Sequence, residues 1–436
     1  MLALPTVALL ALLASPAYQA DTPKDGGATQ RTPIEDLLER ARARREAERQ
    51  KLRPLVDAAL EEFQAQPAPV PEARRTALTD RLAALGPEVA PLLVPRLEPG
   101  ATDPVSNERA HAVGDALARL QGPTLTDPLL GVLATGSEQA KCNALLALET
   151  CKESARARPA VLATFESSPQ GALKQAALRT LIRLGGPENA ALYAKVLSQD
   201  DAEIVALALR ALTDTRDASA GRQVQSLLAD SARAQRHAAL LIAYYRAVPE
   251  LVDAPALTSF VAAAEKPGDR DARLLIVAAL PGLAGRFGAD VRKGLERVAA
   301  SKDSDLREAA LVALVRLGDR NARRDLLEGY DDYVERNDRF AEAYVRRGDL
   351  YLRIEDWDSA IKDYQQALKL SADDSRPQPG AYVGLARAFA RRGKLRDAAE
   401  SLRKAPLSIT ELKKLADDPD FAELRASRFS KEAFGI

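Results

Sequence analysis

Residues Asp303 to Asp319 read DSDLREAALVALVRLGD. Leu306, Ala310, Leu314 and Leu317 stand at i, i+4, i+8 and i+11, which is one face of an α-helix, and Gly318 ends it. Residues Gln170 to Gly186 (QGALKQAALRTLIRLGG) repeat the template as Leu173, Ala177, Leu181, Leu184 and Gly185. It fits again at Ile204, Ala208 and Leu212, with Thr215 in the last slot, and at Ala140, Ala144, Leu148 and Cys151. Looser copies begin at Arg74 (ending Leu82, Leu85, Gly86), Arg109 (Leu117, Leu120), Ala234 (Ile242, Tyr245) and Ala272 (Leu280, Leu283). The anchors 74, 109, 140, 173, 204, 234, 272 and 306 are separated by 30 to 38 residues. A near-constant period of that length is the signature of a repeat array.

Each copy runs on into a second amphipathic segment, such as Ala190 to Leu197 or Val291 to Ala299, and many turns between copies carry Asp, Gly or Pro. Each unit is therefore expected to be a helix pair, with Ala at the middle core position letting helices approach closely. One pair cannot bury its apolar stripe alone, so neighbours must stack into an all-α superhelical solenoid. Composition agrees. Hydrophobic residues make up 46% of the 436 but aromatics only 5%, and the apolar content is mostly Ala and Leu. Such residues favour helix over strand, which excludes an all-β or Rossmann-type chain. By length alone, at about 150 residues per domain, three domains would be expected.

The segments at Gln170 and Asp303 resemble HEAT or HEAT-like repeats; the resemblance covers roughly residues 72 to 320 and implies a HEAT-like solenoid domain over residues 72–329. A second pattern follows: Tyr344, Gly348, Tyr351, Ala360, Tyr364 and Ala367, returning 38 residues on as Tyr382, Ala386, Phe389, Ala398, Leu402 and Ala405. It is similar to two tetratricopeptide (TPR) repeats over residues 330–405. The extra length over the usual 34-residue period is absorbed by Ser371 to Gly380. Gly348, Ala360 and Ala367 would mark close helix crossings, with Tyr351 and Tyr364 filling the space between the two helices. Residues 406–436 would cap the array: a helix Ile409 to Leu415, then DPDFAELR (Asp418 to Arg425), with Phe421, Leu424 and Phe429 as an apolar plug.

The N-terminal stretch points to export. Residues 1–20 carry no charge, and Leu2 to Ala14 is apolar with small residues after it, as in a secretory signal peptide. The destination would be periplasmic or extracellular. A run of that length, broken by Pro5, is too short for the roughly 20 residues of a spanning helix, so no transmembrane segment is expected. Residues 21–71 would hold a flexible lead (Asp21 to Arg31), a charged helix Ile34 to Arg53 capped by Thr32, a short helix Leu55 to Phe63 after Pro54, and a Pro-rich hinge, Gln64 to Pro71, marking a boundary. Cys142 and Cys151, placed on opposite sides of one helix, would be small core residues rather than disulfide partners.

No catalytic constellation is evident. His111 and His237 lie in different repeats, each inside a core-pattern helix, and read as partly exposed helix histidines. HExxH, GxSxG, a Walker-type loop and CxxC are all missing. The glycines of PGLAGRFG (Pro281 to Gly288) follow a helix and read as a turn. The acidic pairs Asp331-Asp332, Asp373-Asp374 and Asp417-Asp418 are expected at turns or helix starts, where carboxylates cap helices. No metal, no cofactor and no catalytic residue is assigned. With 62 basic and 62 acidic residues, the zero net charge argues against nucleic acid as the partner.

What remains is surface. The TPR resemblance implies that the first helix of each repeat lines a groove. Val345, Asp349, Leu352 and Arg353 share one face there, matched by Val383, Arg387, Ala390 and Arg391. That mixture suits an extended, partly acidic peptide whose carboxylates pair with Arg. The family's groove that clamps a C-terminal carboxylate uses Lys and Asn where Val345 and Asp349 stand, so that specificity is not implied. The expected function is an exported, non-enzymatic scaffold for a protein or peptide partner. A structural envelope protein is the alternative. A HEAT-like enzyme of the glycosylase or lyase type is a third class. Against the former, the second segments at Ala190 to Gln199 and Leu257 to Ala264 are close to neutral. Against the latter, the apparent signal conflicts with a cytosolic chromophore partner.

Overall fold

Alternating 3.6-residue stripes and turn residues fold this chain as helix after helix. A computed structural model describes residues 33–65, 67–100, 103–120, 125–186, 189–373 and 378–435. The expected signal peptide (1–20), the lead (21–31) and the Thr32 cap lie outside the described residues, as does Asp374 with part of the inter-repeat insertion. Among the described residues there is no strand, and each of two compact units, divided after Lys152, is an all-α solenoid of packed helices.

The first unit contains α1 (Pro33–Gln64), α2 (Glu72–Ala84), the short α3 (Ala90–Leu93), α4 (Pro104–Leu120), α5 (Thr126–Thr135) and α6 (Glu138–Leu148). The copies anchored at 74, 109 and 140 form α2, α4 and α6, and these pack side by side in that order. Two expectations are corrected here. Pro54 does not end a helix but sits inside α1. Its fixed φ is helical, and the one carbonyl it cannot serve belongs to the exposed Gln50, open to water. Val56, Ala59, Leu60 and Phe63 in the second half of α1 are buried in this unit, so residues 65–71 join two helices packed on each other. Cys151 follows α6 rather than lying on it, and both cysteines are partly exposed. Cys151, in the template's fourth slot, falls past the end of α6.

The second unit holds α7 (Ser154–Ser167), α8 (Ala172–Leu184), α9 (Asn189–Val196), α10 (Ala202–Thr215), α11 (Gly221–Ala229), α12 (Ser231–Arg236), α13 (Ala238–Ala247), α14 (Ala254–Glu265), α15 (Arg270–Ala284), α16 (Gly288–Ala299), α17 (Ser304–Arg316) and α18 (Arg320–Arg336). Anchor helices α8, α10, α13, α15 and α17 pack in file, and α11, α14 and α16 form a second row. The first three template positions are the core: Leu306, Ala310 and Leu314 are at most 3% exposed, and Ile204, Ala208 and Leu212 are fully buried. The turn aspartates close the helix starts. Asp201, Asp230, Asp253, Asp269, Asp303 and Asp319 each accept hydrogen bonds from backbone N–H groups of the first turn.

Three local readings change. The copy anchored at Ala234 is not one helix, because His237 (φ −112°, ψ 19°) breaks it into α12 and α13. His237 is consequently buried at the break, not partly exposed, and burial beside Arg236 and Arg233 pushes its imidazole below the usual value. His111 is partly exposed, 3.9 Å from Asp115. In PGLAGRFG, α15 runs through Pro281 and Gly282, and only residues 285–287 turn. Asp331 and Asp332 lie inside α18, where they pair with Arg347 at 2.9 Å and Arg336 at 3.4 Å rather than capping.

The second unit continues as α19 (Ala341–Arg353), α20 (Trp357–Asp373), α21 (Pro379–Arg391), α22 (Leu395–Lys404), α23 (Ile409–Ala416), α24 (Ala422–Ala426) and α25 (Ser430–Phe434). From α19 to α22 each helix packs on the next, and the first helices α19 and α21 also touch, while α22 and α23 pack on the terminal α25. The end is sealed by Phe421, Leu424 and Phe434, all fully buried, with Phe429 partly buried against them.

Candidate peptide groove

The site is positioned by one buried ring. Tyr364 on α20 is fully buried and occupies the space left by Gly348 on α19 and Gly384 on α21. A Cβ at Gly384 would stand 2.3 Å from its Cζ, and one at Gly348 would stand 3.0 Å from its Cε1. The ring therefore sets how closely the two first helices approach. Its hydroxyl donates to Asp349 Oδ1 at 2.5 Å, and burial followed by that carboxylate pushes the phenol well above its ordinary value.

A charge lock also holds the same helices. Arg347 donates through Nε and Nη2 to the two oxygens of the buried Asp363, at 2.7 and 2.8 Å, and through Nη1 to Asp331 at 2.9 Å. The bidentate fork ties α19 to α20, and the third bond reaches α18. Arg323 on α18 meets Asp356 at 2.5 Å, while Asp356 also caps α20 through the Ser359 N–H. Burial pushes the Asp356 carboxyl up, but these hydrogen bonds outweigh it and hold the group below the usual carboxylate range.

On this frame a cavity of about 330 Å³ opens among α15, α17, α19, α21 and the Asp420 turn. Its apolar lining includes Ala278, Val312 and Leu352, and its charged lining is Arg316, Arg353, Arg387 and Arg391 with the carboxylates Glu355 and Asp420; Trp357 lines it too. Arg391 stacks over the Trp357 ring, 5.4 Å from its centroid. Each arginine has a carboxylate of the chain itself. Arg316 pairs with Glu355 at 2.6 Å, Arg353 with Glu308, and Arg387 with Asp418 at 2.7 Å, while Arg391 lies 3.9 Å from Asp420.

Of the eight residues expected to line a groove, Leu352, Arg353, Arg387 and Arg391 converge on this cavity. Asp349 opens onto a neighbouring cavity of about 570 Å³ between α17, α18 and α19, where Arg353 also reaches. Val345 packs partly buried against the Tyr364 cluster. Val383 borders a shallow apolar recess beside α23, and Ala390 is buried in the C-terminal core. Trp357, Arg316 and Asp420 were not singled out by the spacing. The signal that would have found Trp357 is its place as the chain's only tryptophan, opening a helix two residues after a turn.

Among the described residues no cluster of His, Cys, Asp and Glu is arranged to hold a metal ion, and no helix is long and apolar enough to cross a membrane. The family model of the tetratricopeptide repeat matches residues 327–377 and 345–410, which span α19 to α22 and the end of α18. No curated protein matches the chain. The match and the helical pairs support TPR repeats at this end of the chain and, with them, protein binding as a general role. TPR repeats are typically non-enzymatic.

Proposed function

We propose that this protein is an exported, non-enzymatic scaffold that binds an extended acidic segment of a partner protein in the Arg353–Arg387–Arg391 groove. In this reading residues 72–329 form a HEAT-like array, residues 330–405 two TPR repeats, and residues 406–436 a cap. The observation that carries it is the convergence of four arginines and one tryptophan on a cavity walled by Ala278, Val312 and Leu352. Planar guanidinium groups recognise carboxylates in a fork, and the aliphatic wall accepts the apolar side chains between them. The repeated helix pairs commit most side chains to stacking, and a grooved surface is what such stacks offer.

Reversing two charges tests it. Arg387→Glu with Arg391→Glu should cut capture of the partner from the exported fraction at least tenfold while leaving the helical circular-dichroism signal unchanged. Undiminished capture by the reversed protein would refute the groove. Export has its own test: a tagged full chain should fractionate outside the cytoplasm and lose an N-terminal segment near residue 20, and retention of the whole chain in the cytoplasm would oppose it.

A further inference from the structure

Resting on that groove reading, we infer that Asp420 is an internal competitor: its carboxylate occupies the subsite that a partner's Asp or Glu side chain takes over on binding. The turn that carries it, Asp418-Pro419-Asp420, is pinned on its C-terminal side by Phe421 and Leu424, both fully buried in the end core. On its N-terminal side Asp418 is committed. One oxygen accepts from the Asp420 N–H at 2.9 Å and the other from Arg387 Nη2 at 2.7 Å. Burial pushes the Asp418 carboxyl up, but those two bonds win and hold it below the usual carboxylate range.

Asp420 is held differently. Its two oxygens lie 3.9 Å from Arg387 Nε and 3.9 Å from Arg391 Nε, too far for a hydrogen bond to either. Arg387 Nε is buried and makes no hydrogen bond at all. Asp420 thus neutralises the arginines without satisfying them, and its side chain, 42% exposed, has water to turn into. A carboxylate arriving from the cavity can sit at hydrogen-bond distance from Arg387 Nε and Arg391 and supply what Asp420 leaves unmade. Trp357, under the Arg391 guanidinium, senses the exchange.

The test uses the full chain, its single tryptophan as reporter, and acetylated, amidated hexaglutamate, which offers side-chain carboxylates and few alternatives. Asp420→Asn keeps the shape and removes the charge, and should tighten the probe about two- to fivefold, the scale of a loosely held surface pair. Glu423→Gln makes the same charge change three residues on, at an exposed position outside the cavity, and should leave affinity unchanged. Equal binding by wild type and Asp420→Asn, or an equal gain from Glu423→Gln, overturns the competitor and leaves the groove standing. Absence of a Trp357 response in every variant removes the groove and the competitor together.

Discussion

At Gly384 a single hydrogen in place of a methyl decides how two repeats meet. The Tyr364 ring is caught between this glycine and Gly348, so it has nowhere to retreat when a Cβ is added. Gly384→Ala should therefore destabilise the protein by about 1–3 kcal/mol through overpacking. Gly348→Ala, with its longer closest approach, should cost less. Urea or thermal melting of both variants checks the order, and equal stability of Gly384→Ala and wild type would contradict the wedge. The repeat pattern marked Gly348 and Tyr364, because their spacing within one helix pair is local. It did not mark Gly384, whose reason for being small is a ring on the preceding helix. The same limit explains the groove. Arg387 and Arg391 share a face by spacing alone, but their pairing with Asp418 and Asp420 depends on a turn about thirty residues further along the chain, which only the folded cap brings back.

At the scale of the element, the template was legible because burial follows it so closely. Ala310 is fully buried, so Ala310→Asp places a carboxylate at a helix crossing without a partner. A cost of about 3–5 kcal/mol is expected, enough to lower the melting temperature severely; a melting profile like that of wild type would refute the crossing. Other elements escaped sequence reading for definable reasons. Pro54 usually reads as a break, but α1 tolerates it because the lost hydrogen bond falls beside an exposed residue. The His237 break has no Gly or Pro to announce it. The stacking partner of each second helix was also not legible: α14 and α16 rest mainly on the anchor helices that follow them, α15 and α17, rather than on those before. Periodicity gives the apolar face of a helix and says nothing of which neighbour covers it.

For the molecule as a whole, stability should fall in alkali. Burial, then Asp217, raises the Tyr244 phenol to about 12, and burial raises Tyr245 and Tyr364 further still. In the unfolded chain each tyrosine ionises near 10. Below that pH both states keep their protons and these groups add no pH dependence. As pH rises from about 10 through 12 the unfolded chain loses protons that the folded one retains, so their contribution is lost. Urea midpoints at pH 8, 9, 10 and 11 should be flat over the first two and then fall, and Tyr244→Phe should shallow the fall. A steady decline beginning at pH 8 would mean that other groups dominate.

The most direct measurement places a photo-crosslinking phenylalanine analogue at Leu352, inside the groove, and in a second protein at the exposed Lys369 on α20, which does not line the groove. Irradiated with the exported fraction, the Leu352 protein should form one dominant adduct whose linked peptide is rich in Asp and Glu, and the Arg387→Glu, Arg391→Glu background should abolish it. Adducts of equal yield from both positions, or a linked peptide without acidic residues, would contradict a carboxylate-reading groove.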